Sequence, residues 1–245
     1  MKYAENPAAG ELPSSSKTSR GACPPANPPR DCPPPDCPLC PRLVEFRNEW
    51  RAKEPSWHNA PVPTFGPSSA RLLIIGLAPG LRGANRTGRP FTGDYAGDLL
   101  YDTLIEYGFA RGEYRADPND TLELVDAAIV NAVRCVPPQN KPVGAEINNC
   151  RPFLAATIAR HTELAAILAL GRIAHDSVVR TLGLRLKDAP FGHGAVHEIT
   201  GETSGGLRLF DSYHCSRYNT NTGVLTEKMF KGVFAEIRNL LGKPR

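Results

Sequence analysis

Four short apolar runs mark the chain: residues 71–78 (RLLIIGLA), 127–133 (AAIVNAV), 164–170 (LAAILAL) and 206–213 (GLRLFDSY). Each is continuous rather than alternating, and each closes on Gly, Pro, Arg or a polar residue, as strands covered on both faces do. The 164–170 run is ambiguous, because Ala and Leu also favour helix. Between the runs, apolar positions recur at helical spacing over residues 98–107, 144–161, 172–182 and 226–241, and an earlier helix is expected over 40–53. Strands alternating with helices predict an α/β fold, a three-layer α/β/α sandwich around a central, mainly parallel four-stranded sheet. Sites in such sheets open beyond the carboxyl ends of the strands, which directs attention to the loops that follow them.

The first 36 residues break the pattern. They hold nine of the 24 prolines, and four cationic side chains face four anionic ones, so the segment is no basic arm. With no ladder donors at the prolines and little apolar surface to bury, residues 1–36 are expected to form a disordered or polyproline-like tail, leaving 37–245 as one domain with a sizeable core. No apolar stretch follows the charged start, as a signal peptide requires, and the longest apolar run has seven residues, against about twenty for a membrane span. A soluble, cytoplasmic protein with no membrane partner is expected. Lys and Arg number 29 against 25 Asp and Glu, a mild excess that permits an anionic partner without identifying one. Seven cysteines in a reducing compartment argue for metal, catalysis or simple burial before disulfides.

Three polar loops follow the strands. The first, residues 76–94, carries five glycines and the arginines Arg82, Arg86 and Arg89, a composition suited to close backbone approach to phosphate. It has neither a Walker lysine nor dinucleotide-binding glycine spacing. Asp94, near Phe91 on that loop, is a candidate carboxylate or an ordinary helix cap. Asn131 sits inside an apolar strand, where an unpaired amide costs about 1–3 kcal/mol, so it must meet neighbouring backbone or a ligand edge. A carboxamide offers the donor and acceptor that the imide edge of a pyrimidine demands. His214 stands where the last strand ends and can stabilise an anion on a leaving group. Cys37 and Cys40 (C-x2-C), with Cys135 and Cys150 flanking a Pro-rich loop, supply four thiols, enough for tetrahedral zinc or an iron–sulfur cluster. Cys23, Cys32 and Cys215 are left over.

Taken together, Gly76-Leu77-Ala78-Pro79-Gly80, the 88–94 stretch GRPFTGD, Asn131-Ala132-Val133-Arg134-Cys135 and the His214 segment resemble the uracil-DNA glycosylase superfamily. The likeness is strongest to its iron–sulfur branch of type b, often called family 5, and spans roughly residues 37–241. It implies a monofunctional DNA glycosylase of base excision repair, monomeric and nucleoid-associated, acting on damaged duplex or single-stranded DNA. Cys37, Cys40, Cys135 and Cys150 match the positions holding that branch's structural [4Fe-4S] cluster, with zinc the lesser alternative. The resemblance further implies that Phe91 stacks on an extruded base, Asn131 reads it, His214 holds its departing charge, Asp94 positions water or supports the sugar, and the backbone of Gly76 to Gly80 lines the pocket. Arg82, Arg86, Arg89, Ser216, Arg217 and Asn219 become the expected DNA contacts.

Some positions depart from the family pattern. Leu77 and Ala78 stand where many relatives place a catalytic Asp, Asn or Glu, so the burden falls on Asp94. Gly80 replaces the bulky tyrosine of strictly uracil-specific relatives, so broad specificity is expected, including hypoxanthine and xanthine. Cys215 takes the place of a proline after the motif histidine. No motif lysine offers a Schiff base for backbone nicking. Two rivals remain: a catalytically weak iron–sulfur nucleic-acid-binding module, and a redox protein using the cluster for electron transfer.

Overall fold

The computed structural model describes residues 31–199 and 206–243. The expected apolar runs become β1 (Leu72–Gly76), β4 (Ala127–Asn131), β5 (Ala166–Leu170) and β7 (Arg208–Ser212), and the ambiguous third run is strand. They are parallel neighbours in the order β4-β1-β5-β7. The sheet has five strands rather than four, because β6 (Val196–Glu198) adds an antiparallel edge beside β7. Its three residues, half-buried or exposed, carry no apolar run that sequence reading could detect. A separate ribbon pairs β2 (Ala110–Arg111) with β3 (Glu123–Leu124).

Alternation along the strands divides the core in two. Leu72, Ile74, Ile129, Leu168 and Phe210 face one way, against α3 (Tyr95–Glu106) and α7 (Glu227–Leu241), through Leu100, Leu104, Phe230 and Phe234. Leu73, Ile75, Val130, Ile167 and Leu209 face the other, against α4 (Gly144–Arg160) and α5 (Arg172–Thr181), through Leu154, Val178 and Val179. Full burial of each such side chain is worth about 1.5–3 kcal/mol, so the sheet is held from both sides. The α1 helix (Pro41–Lys53) begins just after Cys40 and packs Leu43 against Val133, Cys135 and Cys150. Two short helices, α2 (Ala84–Thr87) and α6 (Arg217–Asn221), lie within the loops after β1 and β7.

The expected tail boundary shifts. Residues 1–30 lie outside the described part, but residues 31–36 reach the core. The Asp31 carbonyl accepts from Arg134 at 3.0 Å, its carboxylate pairs with Arg160 at 2.7 Å, and Cys32 is buried. Arg134 is itself fully buried and needs those acceptors, a demand that composition could not reveal. No helix among the described residues is long and apolar enough to cross a membrane.

Candidate active site

Strand register assembles the centre of the site. Gly76 is the partner of Asn131, so the last residues of β1 and β4 lie side by side where the sheet ends. A Cβ on Gly76 would meet Asn131 Oδ1 at 2.5 Å and Phe91 Cζ at 2.7 Å. Only a glycine lets the amide and the ring come together there, so Gly76 is a seat for them rather than part of the cavity wall. Asn131 is 3% exposed, and its carboxamide has no hydrogen-bond partner among the described residues. Of its two readings from sequence, the neighbouring backbone supplies no partner.

What the amide faces is a cavity of about 340 Å³, lined by Leu77, Ala78, Pro79 and Gly80 after β1, by Phe91 and Asp94, and by His214 after β7. The His214 ring stacks near Phe91, with centroids 5.8 Å apart and planes 27° from parallel. Burial alone drives the imidazole down to about 4, so it is neutral at physiological pH. Its backbone is held by Asn219, whose Nδ2 donates to the His214 carbonyl at 2.9 Å. Asn219, expected on DNA, thus also fastens the histidine loop. Ser216, also expected on DNA, lines the cavity, and its hydroxyl is engaged as the cap of α6, accepting from the Asn219 amide.

Asp94 caps α3, its carboxylate accepting from the Gly97 amide at 3.2 Å. Desolvation raises its pKa above the usual carboxylate range, opposed in part by that amide. The space it occupies comes from two glycines, since a Cβ on Gly83 would lie 2.6 Å from Asp94 Oδ2 and one on Gly80 3.1 Å away. The missing side chain at Gly80 therefore makes room first for this carboxylate. Capping and site placement coincide in one residue, so the two readings of Asp94 are not alternatives.

The arginines separate. Arg82 and Arg86 are exposed on the loop after β1, and Arg217 is exposed at the cavity mouth with its guanidinium 5.0 Å from the Tyr95 ring. Arg89 is a correction: it is 6% exposed and forms a bidentate pair with Asp120, both bonds 2.7 Å, so it cannot reach a phosphate. An arginine in a glycine-rich loop gives no sign in sequence that an aspartate 31 residues on will bury it. Sequence reading also missed Tyr95 and Asn140, which line the cavity. Gln139 and Asn140 are consecutive left-handed residues, both at φ 56°, in the Pro-rich loop between Cys135 and Cys150.

Cys37, Cys40, Cys135 and Cys150 line one small cavity between α1, the loop after β4 and α4. No three of the sulfurs lie within 4.8 Å of one another, whereas tetrahedral zinc with bonds of about 2.3 Å would hold all four about 3.8 Å apart. Burial pushes Cys135 up to about 12 and Cys150 up to about 11, so a cation must displace protons to bind. Arg47 approaches Cys135 Sγ at 4.0 Å, and its buried Nε has no partner, leaving a donor beside a sulfur set that would become anionic. Cys215, by contrast, is fully buried in the core under α3, with its thiol 3.4 Å from the Ala96 carbonyl.

Comparison with known proteins gives the chain a family. Residues 63–238 match the model of the uracil-DNA glycosylase superfamily. A type-5 uracil-DNA glycosylase of Thermus thermophilus is 43% identical over 84% of this chain and 94% of its own. Those of Mycobacterium bovis and Pyrobaculum aerophilum are 41% and 37% identical, over 84% and 78% of this chain and 78% and 83% of theirs. By fold, by the residues gathered at the strand ends and by these matches, the chain belongs to the uracil-DNA glycosylase superfamily.

Proposed function

We propose that this protein is a monofunctional uracil-DNA glycosylase of base excision repair, acting on a nucleotide swung out of DNA and leaving an abasic site. The observation that carries the reading is the unpartnered Asn131 carboxamide facing the cavity beside Phe91 and His214. Phe91 supplies a face for the base. Asn131 donates to and accepts from its imide edge. As the C1′–N bond breaks, the electron pair stays on the base, and neutral His214 donates an N–H toward the oxygen on which charge gathers. Asp94, deprotonated, faces the sugar's positive charge and orients the water whose oxygen bonds to C1′, and the proton this water sheds ends on the departing base anion. Arg82, Arg86 and Arg217 contact phosphates.

The same reading extends to breadth. A cavity of about 340 Å³ falls in the range of small-molecule sites, and no bulky side chain at position 80 screens out a purine. Hypoxanthine and xanthine are therefore further substrates. Cys37, Cys40, Cys135 and Cys150 would hold a [4Fe-4S] cluster. That group would act as a structural staple between α1 and the core, with Arg47 balancing its charge.

The deciding experiment uses duplexes with one central uracil, hypoxanthine, xanthine or thymine opposite each base. Abasic sites at uracil and at the deaminated purines are expected. Binding without base release would instead favour the catalytically weak module. Release from uracil alone would refute the breadth.

A further inference from the structure

We propose that Asp120 and Tyr114, which line no part of the base cavity, are positioning residues that hold Phe91 in its stacking pose. This rests on the stacking role assigned above. Phe91 adopts φ +53°, a left-handed conformation that a bulky side chain avoids and that persists only where surroundings over-determine it. Those surroundings form a closed set. Tyr114 Oη donates to the Phe91 carbonyl at 3.2 Å and lies 3.4 Å from the Gly93 amide, which donates to it, pinning the chain on the C-terminal side of the strained residue. Tyr101 Oη donates to the Pro90 carbonyl at 2.6 Å. A Cβ on Gly97 would strike the Phe91 carbonyl at 1.9 Å, so the first turn of α3 presses directly on it.

One ion pair anchors this set. Arg89 donates to Thr92 Oγ1 at 2.7 Å and to both oxygens of Asp120, and its guanidinium lies 5.3–5.8 Å from the ring centres of Phe65, Tyr101 and Tyr114. Asp120 is fixed in turn by the Arg115 and Leu122 amides, at 3.0 and 3.1 Å. The segment before β3 therefore reaches the stacking ring through Arg89 and two tyrosine hydroxyls. A loop remote from the base thereby sets how firmly the base is gripped.

If Asp120 and Tyr114 act only through Phe91, their loss should cost nothing once Phe91 is gone. Single-turnover base release from uracil duplex is measured for Asp120→Asn, Tyr114→Phe, Phe91→Ala and the two double variants. Alongside it, the fluorescence of a 2-aminopurine next to the uracil reports extrusion. Each single variant should slow release roughly ten- to hundredfold and reduce the extrusion signal, with DNA affinity little changed. Neither double variant should be slower than Phe91→Ala. Losses that multiply in the doubles, or single variants at the wild-type rate, would overturn the proposal. Should Asp120→Asn fail to fold, Tyr114→Phe, which removes one oxygen, carries the cycle by itself. A wild-type protein that releases no base would refute the glycosylase reading, whereas an active one with multiplicative losses refutes only this inference.

Discussion

Asp94 lets chemistry and folding be separated by a choice of substitution. Asn is as good a helix cap as Asp, whereas Ala is not. Asp94→Asn should leave the melting temperature nearly unchanged while abolishing most turnover, and Asp94→Ala should lose a further 1 kcal/mol or so of stability, measured by denaturant unfolding. The acid limb of the rate–pH profile should rise above the ordinary carboxylate range, because burial raises this pKa and the ionised form is the active one. Asp94→Asn should erase that limb. His214, driven down to about 4, predicts no inflection near 6.5, and His214→Ala should cost about 100- to 1,000-fold in turnover with DNA affinity kept. A wild-type inflection near 6.5 that His214→Ala removes would contradict a neutral imidazole. Asn131 and His214 were legible as candidates because one apolar strand ends on the first and another stops just before the second, while Phe91, on the loop after β1, was singled out by the family resemblance. Asn140 and Asp120 were not, since their positions depend on loop conformations and on a partner distant in sequence.

Elements were read with uneven success for physical reasons. A buried parallel strand announces itself by an unbroken apolar run, and all four such runs formed strands within a few residues of their expected bounds. The edge strand β6 is polar and short and gave no such signal. It takes part in a buried cluster of consequence. His175 on α5 has Nδ1 2.7 Å from Asp211 and Nε2 2.8 Å from the Ala189 carbonyl, while His197 on β6 lies 3.3 Å from the other Asp211 oxygen. Both nitrogens of His175 face acceptors, so both donate and the ring is an imidazolium. Burial opposes that charge, but Asp211 outweighs it and raises the pKa. The stabilisation is therefore full below about 6.5, the unfolded value, and is lost as pH rises through the folded value above it. Unfolding free energy followed from pH 6 upward should fall, and His175→Gln should flatten that dependence.

For the whole molecule, charge and metal set the expectations. Exposed Arg82, Arg86 and Arg217 predict that DNA affinity drops steeply as salt rises, with each arginine-to-alanine change lowering the log–log slope by about one. Arg89→Ala should instead destabilise the fold, since it strands a buried carboxylate, at a cost of about 3–5 kcal/mol. Anaerobically purified protein should be brown, and stripping its iron should lower the melting temperature more than the specific rate, measured below the transition. Such a balance marks a group that fastens α1 rather than one that does chemistry.

The hydrogen that Gly76 carries in place of a side chain is all that its two neighbours allow. A methyl group there would wedge apart the amide and the ring while leaving the outward arginines as they are. Gly76→Ala should thus keep its grip on the phosphate backbone of any duplex while releasing no base, so that a single hydrogen separates holding DNA from reading the base it carries.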